Sequence, residues 1–370
     1  MDFELSEEQQ LMRSGLRELL ERACDIRHVR AVAYDSPQAS DADLWRALAD
    51  AGWTAVAVPE ADGGAGLRFE DVALVIEQAG RAVLPAPLTT TLLASRSIAR
   101  SPETSIRSDL LARIVSGEAS VTLALRGSPN DWNGERPSLT AERSDEGWRL
   151  SGTSAFVPYG PEADVVLTEA ETRHGRALVA LPTSEAASTG LQTMDPTAPQ
   201  YEIALDGVVV PPDASLLGDT DASEEIDRLV DEWRVALAAE TLGACERALE
   251  LSVAYAKDRV QFDRPIGSNQ AVKARIAEMA GTVERMRAAV YHAAVKIDAE
   301  APDRVLAVAM AKAATATPGA WVASQAIHVH GGIGYTWEHD LHLYFKRIKA
   351  NELLLGDGMA SLARVADAVL

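Results

Sequence analysis

From about Glu224 to Leu370 the chain keeps a helical period, broken by two loops at 261–269 and 329–338. An apolar 3.6-residue repeat sustained over that length demands several long helices packed on one another. The N-terminal part is helical too. Ser6-Glu7-Glu8-Gln9 has the form of a capping box and opens a helix with Leu11, Met12, Leu16, Leu19, Leu20 and Ala23 on one face. Asp41 is the expected N-cap of a further helix through Leu44, Trp45 and Leu48, which ends at Gly52 ahead of a glycine-punctuated loop, Val58–Gly66. The segments 69–82, 88–99 and 106–116 also read as helices. Between the helical parts lie short apolar runs, at Ser120–Leu125, Trp148–Ser151, Val165–Thr168, Ala177–Leu181 and Tyr201–Leu205. Gly, Pro, Asn and Asp separate them, which predicts antiparallel strands in a sandwich or barrel. The expected division is a helical domain over 1–117, a β domain over 118–221 and a helical bundle over 222–370.

A chain of 370 residues exceeds what one core usually serves, in keeping with that division. Its 35 basic and 55 acidic residues give a net charge of −20, with no basic cluster, so neither nucleic acid nor an anionic membrane is an expected partner. Cys24 and Cys245 stand far apart and form no CxxC pair, so neither a disulfide framework nor a zinc site is expected. The first residues are acidic where a targeting peptide would be basic, and no apolar run approaches membrane-spanning length. The expected location is the cytoplasm, without membrane attachment.

The chemistry concentrates in two motifs, Arg259-Val-Gln-Phe-Asp-Arg-Pro-Ile-Gly-Ser-Asn-Gln270 and His328-Val-His-Gly-Gly-Ile-Gly-Tyr335. Arg259 offers a planar charged fork suited to a pyrophosphate. Phe262 offers a flat apolar face for an aromatic ring system. Gly331 and Gly332 let backbone approach a ligand with no side chain in the way. Taken singly, Arg259 also reads as a helix-end arginine and Phe262 as core packing. His328, His330, His339 and His342 are four of the seven histidines, but their spacing and the lack of Cys or paired carboxylates lead us to expect no metal.

In their order and spacing the two motifs resemble the acyl-CoA dehydrogenase family. The resemblance implies an α+β fold of three parts: an N-terminal helical domain, a middle antiparallel β domain and a C-terminal four-helix bundle. It implies FAD as cofactor, contacted across a subunit interface by Arg259, Gln261, Phe262, Gln270, Gly331 and Gly332. His328 stands where the family usually carries a glutamine, and a histidine still donates one hydrogen bond. The N-terminal Pro59-Glu60…Gly63-Gly64-x-Gly66 and Glu77…Gly80 also look like the family's first domain, where such residues shape the acyl end or the packing against the bundle.

Three departures separate this chain from the family pattern. The segment that holds the flavin ring corresponds to Leu123–Asp131, whose sequence is not preserved. The motif that walls the flavin falls near Thr153–Tyr159, with Phe156 as the substitute wall. The catalytic glutamate corresponds to Leu355, which cannot accept a proton. Some family members carry the base on the helix that here contains Asp231-Glu232-Trp233-Arg234. The expected position is Trp233, and Glu232, one residue off, is rotated by roughly 100°.

Together these features resemble the non-catalytic (β-type) subunit of the heterotetrameric (α2β2) acyl-CoA dehydrogenases of actinobacterial steroid side-chain degradation. His328-x-His330-Gly331-Gly332 and Val83-Leu-Pro-Ala-Pro87 point the same way. The resemblance implies a homologous catalytic partner that shares one FAD with this chain, an acyl-CoA substrate and an electron-transfer flavoprotein as electron acceptor. Arg234 is a further candidate for a residual CoA contact. The alternatives are a self-sufficient homo-oligomeric flavoenzyme using Glu232 as base, a flavin monooxygenase of the same fold, and a non-enzymatic scaffold.

Overall fold

The structure is a computed structural model and describes residues 5–35, 41–125 and 139–370. Helices come first: α1 (Glu7–Ala23), α2 (Ile26–Tyr34), α3 (Ala42–Asp50), α4 (Phe69–Ala82), α5 (Leu88–Arg100) and α6 (Ser105–Val115). The capping box forms as expected, with the Ser6 hydroxyl accepting from the Gln9 amide and the Gln9 side chain accepting from the Ser6 amide. Asp41 caps α3 through the amides of Asp43 and Leu44. Leu16, Leu19 and Leu20 of α1 are buried, but Leu11, expected on the same face, is exposed.

Seven strands follow in one sheet: β1 (Val121–Ala124), β2 (Leu139–Ser144), β3 (Gly147–Pro158), β4 (Val165–Thr172), β5 (Gly175–Pro182), β6 (Ala187–Leu191) and β7 (Gln200–Val210). The spatial order is β1-β4-β2-β3-β7-β6, with β5 paired to β4. Most pairs are antiparallel, as the short strands and turns suggested, but β1 runs parallel to β4 and β2 meets β4 in parallel at Thr140 and Glu171. A parallel pair needs a crossover between its strands, and no local turn signal announces it. Alternate residues, among them Leu139, Ala141, Leu150, Val166, Val179 and Leu205, fill the sheet's core.

The C-terminal part contains α7 (Ser223–Asp258), a hairpin of β8 (Val260–Gln261) and β9 (Arg264–Pro265), then α8 (Gln270–Asp298), α9 (Arg304–His330), α10 (Leu341–Leu353) and α11 (Gly358–Val369). Helix α9 packs on α8, α10 and α11. With the turn that follows, it is long and apolar enough to cross a membrane, contrary to the sequence expectation, though 50% of its apolar window is buried inside the protein. Its buried face is rich in Ala and includes Gly319, which lets neighbouring helices approach closely.

Two compact units emerge from the contacts. One comprises Met1–Val29, Ala73–Leu84 and Arg234–Leu370; the other comprises Arg30–Val72 and Pro85–Trp233. Within the first, α4 and α7 cross almost backbone to backbone. A Cβ on Gly80 would sit 2.0 Å from the Glu240 carbonyl oxygen, and one on Gly243 would sit 1.8 Å from that of Glu77. Only glycine fits at either position, which explains Gly80 by packing. Within the second, Gly64 lies so close to Val58 that an added Cβ would meet its carbonyl oxygen at 2.2 Å. The Pro59–Gly66 loop is accounted for by this local closure. Cys24 and Cys245 are free thiols, both buried.

Candidate functional site

The hairpin of β8 and β9 is closed by two residues, Phe262 and Asp263, because Gln261 pairs with Arg264. Both have positive φ, 53° and 60°. That is the pattern of a type I′ turn, which ordinarily recruits Asn-Gly. Left-handed backbone at a residue with a Cβ costs about 1–2 kcal/mol, less for Asp than for Phe. The strained turn leaves the Phe262 ring 94% exposed. Arg259, at the foot of the hairpin, is exposed and makes no side-chain hydrogen bond or ion pair among the described residues; its backbone carbonyl accepts from Ile266 at 2.8 Å. Gln261 and Gln270 are exposed as well.

The glycine turn lies in the same unit and is tied to the hairpin. Tyr255, one helical turn before Arg259, stacks on His330 with ring centroids 4.4 Å apart. His330 also meets His339 edge-on at 4.5 Å, and its Nδ1 lies 2.8 Å from the Ala326 carbonyl oxygen. Burial lowers the His330 pKa, which favours the neutral ring. Gly331, which follows it, has φ +65° and ψ −142°, a conformation reserved for glycine. An added Cβ at Gly331 or Gly332 would find nothing within 4 Å, so packing inside this chain does not explain Gly332. His328 is exposed with its ring 6.4 Å from that of Tyr335. The structure thus brings the two sequence motifs onto one unit. The Tyr255–His330 stack that joins them was not singled out from sequence, although Tyr255 sits four residues before Arg259.

Leu355 lies in the turn between α10 and α11, 4% exposed, with φ +60°. The turn is firmly held. Arg234 Nε donates to the Leu355 carbonyl oxygen at 3.3 Å, and the Asp357 side chain caps α11 through the Ala360 amide at 2.8 Å. Arg234 is therefore a buried residue that supports this turn. Beneath it, Arg347 and Asn351 bind the two oxygens of Glu240 at 3.0 and 2.8 Å, and the Lys312 ammonium donates to the Asn351 carbonyl. Burial, together with the charge of Arg234, lowers the Lys312 pKa to about 7.

Glu232 is wholly buried. Arg100 Nη1 stands 2.9 Å from its Oε1, Arg96 Nη2 3.4 Å and Arg228 Nε 3.8 Å. Burial alone would raise its pKa, but Arg100 and Arg96 hold it below the usual carboxylate range. A carboxylate so paired is a weak base. Trp233 is buried, as the helix register requires.

In the other unit, Phe156 falls at a register shift of β3 against β7 and has φ +58°. Such a bulge re-aims a side chain. Of the Leu123–Asp131 segment, residues 126–131 lie outside the described residues.

The N-terminal domain model of acyl-CoA dehydrogenases matches residues 6–118, and the C-terminal domain model matches residues 226–370. The acyl-CoA dehydrogenase IpdE2 of Mycolicibacterium smegmatis is 33% identical over 98% of this chain and 98% of its own length. The ChsE4-ChsE5 complex from Mycobacterium tuberculosis contains a chain with 32% identity and a TM-score of 0.91, covering 100% of this chain and 99% of that one. A steroid acyl-CoA dehydrogenase variant, Tcur3481-Tcur3483 G363A, gives a TM-score of 0.89 at 33% identity, with 98% of each chain covered. The chain belongs to the acyl-CoA dehydrogenase family, whose cofactor is FAD and whose members oxidise CH–CH bonds. The exposed donors Arg259 and Gln270, the projecting Phe262 and the open face of Gly331 and Gly332 suit an aromatic ring system joined to a pyrophosphate.

Proposed function

We propose that this chain is the β-type subunit of a heteromeric FAD-dependent acyl-CoA dehydrogenase and completes a flavin site held mainly by a homologous catalytic partner. The observation that carries the reading is Leu355: the position of the expected base is a buried leucine on a held turn. Glu232, the substitute that a self-sufficient enzyme would need, is committed to Arg96 and Arg100. The groups facing outward are those expected to meet a neighbour's cofactor. Arg259, Gln270 and His328 would bind the pyrophosphate side, while Gln261 and Phe262 would cover a ring. Gly331 and Gly332 would admit the cofactor close to the backbone. When bound, FAD supplies the hydride acceptor for α,β-desaturation. The α proton must then be taken by a carboxylate of the partner, since no free base is offered at Leu355 or Glu232. The described steroid acyl-CoA dehydrogenase relative supports a steroid side-chain CoA ester as substrate, an α2β2 assembly follows the family reading, and an electron-transfer flavoprotein is the acceptor of choice.

Gly332→Val tests the reading. The added side chain has open space in this chain, so folding should be unaffected. The complex with the catalytic partner should lose most of its flavin. Full flavin content in the variant complex would refute a cofactor role for this turn.

A further inference from the structure

Every residue of the hairpin from Arg259 to Pro265 is exposed, so burial within the chain does not fix its direction. Its position is set at its foot. The Arg259 amide donates to the Tyr255 carbonyl at 2.8 Å, and the Ile266 amide donates to the Arg259 carbonyl at 2.8 Å. Just beyond, Gly267 closes on the last turn of α7, where an added Cβ would meet the Ala256 carbonyl oxygen at 2.8 Å. Tyr255 and Ala256 thus form the base on which both ends of the hairpin rest.

The glycine turn is set in a similar way by His330, which is 4% exposed and directly precedes Gly331. The His330 Nδ1 faces the Ala326 carbonyl oxygen at 2.8 Å, so that nitrogen carries the proton and anchors the ring to the last turn of α9. The glycine turn folds back over this residue. A Cβ on Gly334 would sit 3.0 Å from the His330 Cβ and 2.7 Å from the Ile327 carbonyl oxygen. The His330 ring touches two others, stacking on Tyr255 at 4.4 Å and 26° and meeting His339 at 4.5 Å and 63°. His339 is itself held, since its Nδ1 accepts from the Leu341 amide at 3.2 Å. The Tyr255 hydroxyl makes no hydrogen bond among the described residues, so the ring alone makes the contact with His330.

On the reading that these two segments bind the cofactor, we propose that Tyr255 and His330 are its positioning residues: their stack locks the hairpin and the glycine turn into one clamp, so that Arg259 and Gly331 meet the flavin nucleotide in a fixed relation. Neither ring need touch the cofactor. The Arg259 amide hangs from the Tyr255 carbonyl, and the Gly331 backbone continues from His330, so each ring steers one contact through a single link. A ligand that binds two independently moving segments must order both, and a clamp formed beforehand avoids that cost. A stacked aromatic pair is worth about 3- to 10-fold in an equilibrium constant, enough for its loss to be measured.

The test combines hydrogen exchange of the full chain with FAD titration of its complex with the catalytic partner, for wild type, Tyr255→Leu, Tyr255→Phe, His330→Leu and the double leucine variant. In the isolated chain, Tyr255→Leu on α7 should speed exchange of the Thr336 amide, which closes the glycine turn on the Ile333 carbonyl. His330→Leu on α9 should speed that of the Ile266 amide at the hairpin, each by about 3- to 10-fold. In the complex each single variant should weaken FAD by a similar factor, with kcat at saturating FAD unchanged, and the double variant should lose no more than the worse single. Tyr255→Phe, which keeps the ring, should behave as wild type. Exchange that rises only in the substituted element overturns the clamp. So does FAD affinity that is unchanged in Tyr255→Leu while Gly332→Val still lowers it. A loss in Tyr255→Phe equal to that in Tyr255→Leu also overturns the proposal, because the hydroxyl would then be a direct contact. FAD affinity unchanged in Gly332→Val and in every variant here would remove the cofactor reading itself, and the positioning role with it.

Discussion

The hairpin that projects Phe262 should trade stability for cofactor binding, and the trade can be measured in one double variant. Phe262 and Asp263 both occupy left-handed backbone in a turn that favours Asn-Gly. Replacing them by Phe262→Asn and Asp263→Gly removes about 1 kcal/mol of strain at the first position and somewhat less at the second. Little burial is lost inside the chain, because the ring is 94% exposed. The isolated protein should therefore gain about 1.5 kcal/mol, seen as a rise in Tm of about 2 °C by calorimetry. The complex should respond in the opposite sense. If Phe262 covers the cofactor, the variant gives up the burial of one aromatic side chain, about 1.5–3 kcal/mol, and FAD should dissociate roughly 10- to 100-fold more readily. Fluorescence titration of the apo-complex with FAD measures this directly. A destabilised free chain would refute the strain argument, and an unchanged FAD affinity would refute the role of the ring.

Glu232→Gln separates an ion-pair role from a catalytic one. Arg100 keeps Glu225 at 2.7 Å, but neutralising the wholly buried Glu232 should still destabilise the fold by about 1–3 kcal/mol in denaturant titration, while turnover per folded complex stays the same. A large fall in turnover with intact stability would restore Glu232 as a base. Lys312 makes stability depend on pH in a defined direction. Its pKa is lowered from 10.5 to about 7, so the unfolded chain binds the extra proton between those values and stability rises with pH across that window. Relative to Lys312→Met, the wild type should gain about 3 kcal/mol between pH 7 and 9.5. A flat difference would show that the buried ammonium is fully compensated.

Much of the architecture was legible because its elements are long or locally marked. Helices of the length of α7, α8 and α9 repeat their apolar positions many times, and caps such as Ser6 and Asp41 identify their own ends. Short elements were less visible. Helix α2 has nine residues, too few to repeat its apolar face more than about twice, and β6 is almost wholly exposed and carries no apolar alternation. The parallel pairing of β1 with β4 depends on a distant strand and leaves no local mark. The candidate site divides in the same way. Arg259, Phe262 and the glycine turn could be picked out by residue type, whereas the strain at Phe262 and the Tyr255–His330 stack required coordinates. Glu232 shows the limit most clearly. Helix geometry already set it off the expected base position, but the arginines that occupy it come from α5, more than a hundred residues earlier.

The central claim is that this chain completes a flavin site without holding a working one of its own. The most direct measurement is the flavin absorbance per protein of the chain purified alone and of its complex with a homologous dehydrogenase, followed by bleaching on addition of an acyl-CoA. The expected result is no flavin in the isolated chain, one FAD per heterodimer in the complex, and substrate-dependent bleaching only in the latter. Stoichiometric flavin and acyl-CoA-dependent bleaching in the isolated chain would contradict the account.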